Sequence, residues 1–263
     1  MSSEHPRIRV LLVGAGGAAE HIGQAVMGSP HELIGIMARD PERAHALALS
    51  LGTVSHPWNT KVPVADLVLL AIPDGALAEV SGRLLVQGAV VAHCSGATGL
   101  NVLDGHQRRG VLWPVLSMSR GIPADLGSAT IVVEGSDDES RTLLWEIARH
   151  IGGSVVDMDL EERRTLHLAA VFASNFPVFL MEQAQALLEK AGISVEHLLP
   201  LWTSMAHKVE TSGPRSALTG PAVRNDQTTL AEHMDLLRDE PDLARTYELL
   251  SALIIKWHSD PSP

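Results

Sequence analysis

Behind the apolar run Val10-Leu11-Leu12-Val13 stands Gly14-Ala15-Gly16-Gly17-Ala18-Ala19, a Gly-x-Gly-x-x-Ala spacing suited to a dinucleotide pyrophosphate. Gly14 permits a tight turn out of a strand. Gly16 has no Cβ to hold a phosphate away from the backbone, and Ala19 lets the next helix lie against a sheet. Ala15 to Ala18 lead into that helix, whose unpaired N–H groups and partial positive charge suit phosphate oxygens. Roughly 20 residues on, an NAD site would carry Asp or Glu for the ribose 2′-hydroxyl. Here the chain reads Ala38-Arg39-Asp40-Pro41. Arg39 suits a 2′-phosphate by bidentate pairing, so NADP is the expected cofactor. Asp40 is expected to cap the helix that starts at Pro41.

Four further residues could act on a small-molecule substrate. Ser95, in His93-Cys94-Ser95-Gly96, can bond a carboxylate or hydroxyl through Oγ and backbone N–H, or it can simply begin a turn. His167, Ser174 and Asn175 interrupt the apolar run 166–180. His167 is a candidate general acid with an ordinary pKa of ~6.5, although a lone helical histidine also serves as a core or interface residue. Asn175 is a candidate to orient substrate or nicotinamide. On a straight helix it would lie ~80° round and ~12 Å along from His167. Pro177 should kink that helix and leave the Ala173 carbonyl unpaired. Arg224, in the turn-rich run 217–226, could clamp a substrate carboxylate, with Asp226 as the cap of the next helix.

These residues need a frame, and the apolar pattern supplies one. Strands are expected at Arg7–Val13, Leu33–Met37, Asp66–Asp74, Ala89–Cys94, Gly110–Trp113, Ala129–Val133 and Ser154–Asp157, with helices over Ala18–Met27 and near Ser140–His150. This alternation reads as an α/β, doubly wound, mainly parallel Rossmann-like sheet, with Ile72-Pro73-Asp74 facing the nucleotide crevice. After Met158 the texture turns helical. Helices are expected over Glu161–Lys190, from near Ser194, after Asp226 and over Leu243–Trp257, with Thr211–Pro221 as a polar loop. The expected domains are therefore 1–158, binding the dinucleotide, and 159–263, smaller and all-helical, with substrate lying between them.

Composition sets outer bounds. The chain has 263 residues, 45% of them hydrophobic and 19% charged, and a net charge of −11. That charge argues against nucleic acid or an anionic membrane as partner, and makes any phosphate site a local construction. No run is read as approaching the ~18 apolar residues of a membrane span. The N-terminal Glu4, Arg7 and Arg9 do not form a signal peptide, and one cysteine, Cys94, fits a reducing cytoplasm. The 13 histidines are scattered without His-Glu-x-x-His or zinc spacing to Cys94, so no metal site is expected.

Several of these segments together resemble a family of NADP-dependent oxidoreductases with a Rossmann-like N-terminal domain and a helical C-terminal domain of unassigned function. They are Gly14–Ala19, Leu69–Asp74, His93–Gly96, His167–Phe176 and Ala217–Asp226 followed by His233. The family is similar, more distantly, to pyrroline-5-carboxylate reductase, ketopantoate reductase and 3-hydroxyacid dehydrogenases, and its second domain to that of 6-phosphogluconate dehydrogenase. The resemblance implies NADP on the first domain, with the helical domain forming a substrate pocket and often a homodimer interface. In ketopantoate reductases a helical lysine lies eight residues before an Asn-Pro; here His167 stands eight before Asn175. Two departures matter. Trp113–Ser119 lacks a glutamine and a phenylalanine found in relatives, and Val178-Phe179 replaces two polar groups. Reduction of a small carbonyl or imine by NADPH is expected, with Ser95 and Asn175 orienting substrate and His167 or a water donating the proton. A non-catalytic NADP-binding sensor or scaffold is the alternative. A methyltransferase would want an acidic residue where Arg39 stands.

Overall fold

The computed structural model describes residues 7–259 and divides into two compact units, one ending at Asn175 and the other beginning at Phe176. In the first unit, eight strands form one sheet among the described residues. They are β1 (Arg9–Val13), β2 (Glu32–Met37), β3 (Ser55–His56), β4 (Leu67–Leu70), β5 (Val90–His93), β6 (Arg109–Pro114), β7 (Thr130–Gly135) and β8 (Ser154–Asp157). Their order is β3-β2-β1-β4-β5-β6-β7-β8, and all pair in parallel except β6 with β7. This is the mainly parallel doubly wound sheet that the sequence implies, with β3 as an addition. Two residues are too few to show a period.

Alternation along β1 sorts the core into two layers. Val10 and Leu12 face one apolar cluster with Ala19, Ile22 and Leu144, while Leu11 and Val13 face the other with Leu77 and Val80. Helices α1 (Gly17–Met27) and α4 (Asp138–Ile151) cover the first face, and α3 (Leu77–Arg83) the second. Helix α2 (Pro41–Ser50) starts where expected, with Asp40 accepting from the Glu42 and Arg43 N–H groups. A third, smaller cluster joins Val111, Trp113 and Val132 to Leu166 of helix α5 (Leu160–Ala170). Buried Arg163 and half-buried Leu166 thus hold α5 on the first unit. The units therefore divide inside the long helical stretch, beyond the change of texture near residue 158.

The kink expected at Pro177 takes a specific form. Val171–Asn175 winds as a π-helix before α6 (Phe176–Lys190), absorbing the missing proline N–H in a wider turn. Together Leu160–Lys190 contains an 18-residue window of mean hydropathy 1.2, long and apolar enough by composition alone to cross a membrane. The expectation that no such run exists is corrected, because the scattered polar residues His167, Ser174 and Asn175 do not lower the average enough.

The second unit continues with α7 (Leu199–Ala217), α8 (Gln227–Leu236) and α9 (Pro241–Ser259). The polar loop expected over Thr211–Pro221 is mostly helical. Its break is confined to Gly213 (φ 76°, ψ 160°), which only glycine adopts readily, and the helix resumes at Pro214 up to Ala217. Asp226 caps α8 by accepting from the Thr229 N–H at 3.2 Å.

Candidate functional site

The glycine turn shows two different uses of glycine. Gly14 lies at φ +135°, its N–H donating to Met37 O at 2.8 Å, and a Cβ there would collide with the Ala71 carbonyl. Protein packing alone demands it. A Cβ on Gly16 would meet nothing within 4 Å, so the protein leaves that space open. Gly16 is also the N-cap of α1 and offers no side-chain bond, whereas aspartates cap α2, α4, α5 and α8. The first amides of α1 are thus available to an outside acceptor.

A cavity of about 330 Å³ opens beside this turn. Gly14, Ala15, Gly16, Arg39, Ile72 and Pro73 line it, as the sequence places them. Gly17 and Ala18 lie behind it in α1, and Gly17 packs against the Met118 carbonyl. Asp40 lines the cavity besides capping α2. Four further lining residues gave no sequence signal: Arg43, Trp58, Ala76 and Val80. Trp58 sits in an aperiodic polar stretch, and Arg43 reads as an ordinary helical cation paired with Asp40 at 3.3 Å. The turn is braced from above by the segment after β6. There Glu20 accepts from the Gly121 N–H at 3.1 Å, and His21 Nε2 lies 3.1 Å from Ser119 O. Arg120 is thereby set against Gly17.

Asp74 has another task. Its carboxylate accepts from Ser95 Oγ at 2.7 Å, tying the end of β4 to the loop after β5. Ser95 Oγ also accepts from the Ala97 and Thr98 N–H groups, and its own N–H donates to His93 Nδ1 at 3.1 Å. Both groups by which Ser95 could meet a substrate are therefore engaged within the protein, in the turn that was its other reading. Buried Arg163, missed in the sequence, holds the same loop. Its guanidinium pairs with Glu134 and donates to the carbonyls of Ser95 (3.2 Å) and Thr98 (2.9 Å). Burial and the Arg163 charge lower the His93 pKa to about 4, so it is neutral at pH 7. Burial likewise raises the Cys94 thiol to about 12.

His167 is exposed and stacks edge-on against Trp113, ring centroids 5.8 Å apart, while the Trp113 ring also packs over Gly96. Asn175 closes the π turn, with Ser174 Oγ 3.0 Å from its Oδ1 and donating to Ala170 O at 2.8 Å. Arg224 is exposed in the second unit.

Elsewhere, His31, Glu146 and His150 bring three potential metal-ligand atoms within 4.8 Å, a juxtaposition no spacing reveals. The Ile8 N–H donates to His31 Nδ1 at 3.4 Å, which leaves the ring proton on Nε2. That nitrogen and His150 Nδ1 lie 3.4 and 2.8 Å from the Glu146 carbonyl. A metal on Nε2 would drive the proton onto Nδ1, against the Ile8 N–H. The cluster fits a hydrogen-bonded node better than a metal centre.

Residues 2–117 match the model of a Rossmann-like domain, and residues 129–254 match a domain of unknown function, DUF2520. A "putative NADP oxidoreductase" from Bacteroides fragilis is 32% identical over 95% of this chain and 98% of its own, with a TM-score of 0.88. A Thermotoga maritima protein is 23% identical, covering 95% of this chain and 100% of that one, at 0.81. A reductive aminase from Aspergillus terreus, solved with NADPH and ethyl-5-oxohexanoate, shares the fold at 14% identity and 0.66, covering 95% and 93%. No curated protein matches.

Proposed function

Because the chain belongs to the family that joins a Rossmann-like domain to a DUF2520 domain, we propose that it is an NADPH-dependent reductase of a small carbonyl or imine. The observation that carries this reading is the open space at Gly16 beside an uncapped helix, in one cavity with Arg39. The amides from Ala15 to Ala18 would take the pyrophosphate. Arg39, with Arg43 in the first turn of α2, would take the 2′-phosphate, and Trp58 and Val80 would offer an apolar wall to the adenine. When bound, NADPH supplies the hydride. The chain's own part is positioning and a proton. Asp74 and Arg163 fix the loop from Ser95 to Thr98 by hydrogen bonds, so Ser95 acts by shaping that loop. Exposed His167 donates the proton, and Asn175 orients the substrate.

Calorimetric titration with NADPH and NADH tests the cofactor. Arg39→Ala should weaken NADPH by about 10- to 100-fold, the worth of a charged bidentate contact, and leave NADH unmoved. Failure to bind either nucleotide would overturn the reading. His167→Ala should cut turnover by about 10²–10⁴-fold with NADPH affinity intact.

A second copy of the chain is the partner we propose for the second unit, in the cytoplasm. None of α6 to α9 holds a buried residue, and Leu201, Leu236 and Trp257 are 67%, 79% and 69% exposed. Surface this apolar is normally covered. The same covering accounts for the apolar window of Leu160–Lys190 without a membrane. A monomer at micromolar concentration in analytical ultracentrifugation would rule the homodimer out.

A further inference from the structure

Arginines of the first unit generally face a carboxylate: Arg9 pairs with Asp66, Arg109 with Asp104 and Arg163 with Glu134. Among its described residues, Arg39, Arg120 and Arg164 have no acidic partner. In a chain of net charge −11, unpaired guanidinium groups are conspicuous. All three stand beyond the carboxyl ends of parallel strands, where open α/β sheets take ligands. Arg39 follows β2 and lines the cavity beside the glycine turn, and the Arg120 backbone lies against Gly17 at the start of α1. In the proposed reading a nucleotide phosphate answers for Arg39. Arg164 has no such explanation.

Arg164 is fixed at one edge. Its Nε donates to Ala97 O at 3.2 Å, in the loop that Arg163 and Asp74 hold rigid. The two terminal nitrogens have no partner among the described residues. His167 follows three positions along α5, about 4.5 Å up the axis and ~60° round, so the two side chains are surface neighbours. His167 in turn lies on Trp113, which packs over Gly96 of the same loop. A planar fork of donors and a proton donor thus share one short stretch of surface.

We propose that Arg164 binds a substrate carboxylate, and that the substrate is a short oxo or imino acid. The proposal rests on the reductase reading. A guanidinium edge matches a carboxylate in two parallel hydrogen bonds, which a neutral ketone or ester cannot accept equally. The carboxylate on Arg164 sets the neighbouring C=O or C=N beside His167. Hydride from NADPH forms the new C–H bond as the π bond breaks, the electron pair goes to oxygen or nitrogen, and the His167 imidazolium proton neutralises it. The products are a hydroxy or amino acid and NADP⁺.

The experiment follows NADPH oxidation with 2-oxobutanoate, 3-oxobutanoate and piperideine-2-carboxylate, each against its methyl ester, in the wild type, Arg164→Met and Arg164→Lys. At least one acid should be reduced with a kcat/KM about 100-fold above its ester. Arg164→Met should lower that value about 100-fold, chiefly through KM, and Arg164→Lys should restore part of it. NADPH affinity and the melting temperature of Arg164→Met should match the wild type, since the side chain is exposed. Equal use of acids and esters, or an Arg164→Met enzyme with unchanged KM, overturns the proposal. If NADPH binds and none of the acids is reduced, the substrate class falls and the cofactor assignment stands. If NADPH does not bind, both fall.

Discussion

The two compact units treat their apolar residues in opposite ways. In the first, Val10, Leu11, Leu12 and the whole of β4 are inaccessible to solvent, sealed between helices. In the second, Ala222 and Leu237 are the buried apolar residues among those described. A leucine moved fully out of water contributes about 1.5–3 kcal/mol, so the first unit carries its own stability and the second gains little within one chain. Chemistry follows the same division. The cavity proposed for the nucleotide, the loop after β5, His167 and Arg164 all belong to the first unit.

The sharpest way to break this contrast is to attack the buried charge of the first unit. Arg163→Met leaves Glu134 and three loop carbonyls without their donor, and should cost about 3–5 kcal/mol in urea unfolding monitored by circular dichroism. A shift under 1 kcal/mol would mean that the loop after β5 is held by other means.

Acid should come next. With its pKa at about 4 in the folded state against about 6.5 unfolded, His93 binds fewer protons when folded. Stability is therefore full above pH 6.5 and falls as pH drops through the window down to 4, by up to about 3 kcal/mol. Burial lowers His31 and His106 in the same direction. Chemical unfolding at a series of pH values should show the decline, and His93→Gln should flatten it. An equally steep decline in that variant would remove His93 as its cause.

The second unit should respond to Leu201→Asp, which sets a charge on the face given to the second copy. Self-association should weaken by about 100-fold in sedimentation, with NADPH affinity retained. Loss of nucleotide binding along with the dimer would abolish the contrast. The smallest effect concerns half-buried Cys94, whose thiol is raised by burial to about 12. It should resist thiol reagents at pH 8 until the protein is unfolded. Rapid labelling of the native protein would show that its partial burial does not keep the thiol protonated.

The same contrast governs what the sequence could reveal. Val10–Val13 followed by Gly14-x-Gly16-x-x-Ala19 declared both the strand and the glycine turn beside the cavity, because the pattern there is local. Arg163 was invisible. In Glu161-Glu162-Arg163-Arg164 it reads as one more solvated charge, and its burial is decided by Glu134, a strand away. Trp58 and the three-residue cluster at His31 depend likewise on distant partners. The π turn at Val171–Asn175 was half legible. Pro177 announces a disturbance, but its form depends on how the preceding carbonyls find donors. Gly213 shows the converse error, where turn-forming residues suggested a loop and a helix simply resumes at Pro214.

The strand order carries a consequence for synthesis. β1, β2 and β3 grow outward in one direction, and β4 then returns to the free edge of β1, pairing Val10 with Leu67. Every later strand up to β8 docks beside the one made just before it. One long closure, bridged by the segment from β1 to β4, is therefore all the emerging chain must wait for. Every residue that lines the cavity beside the glycine turn, from Val13 to Val80, is made before the second unit begins at Phe176.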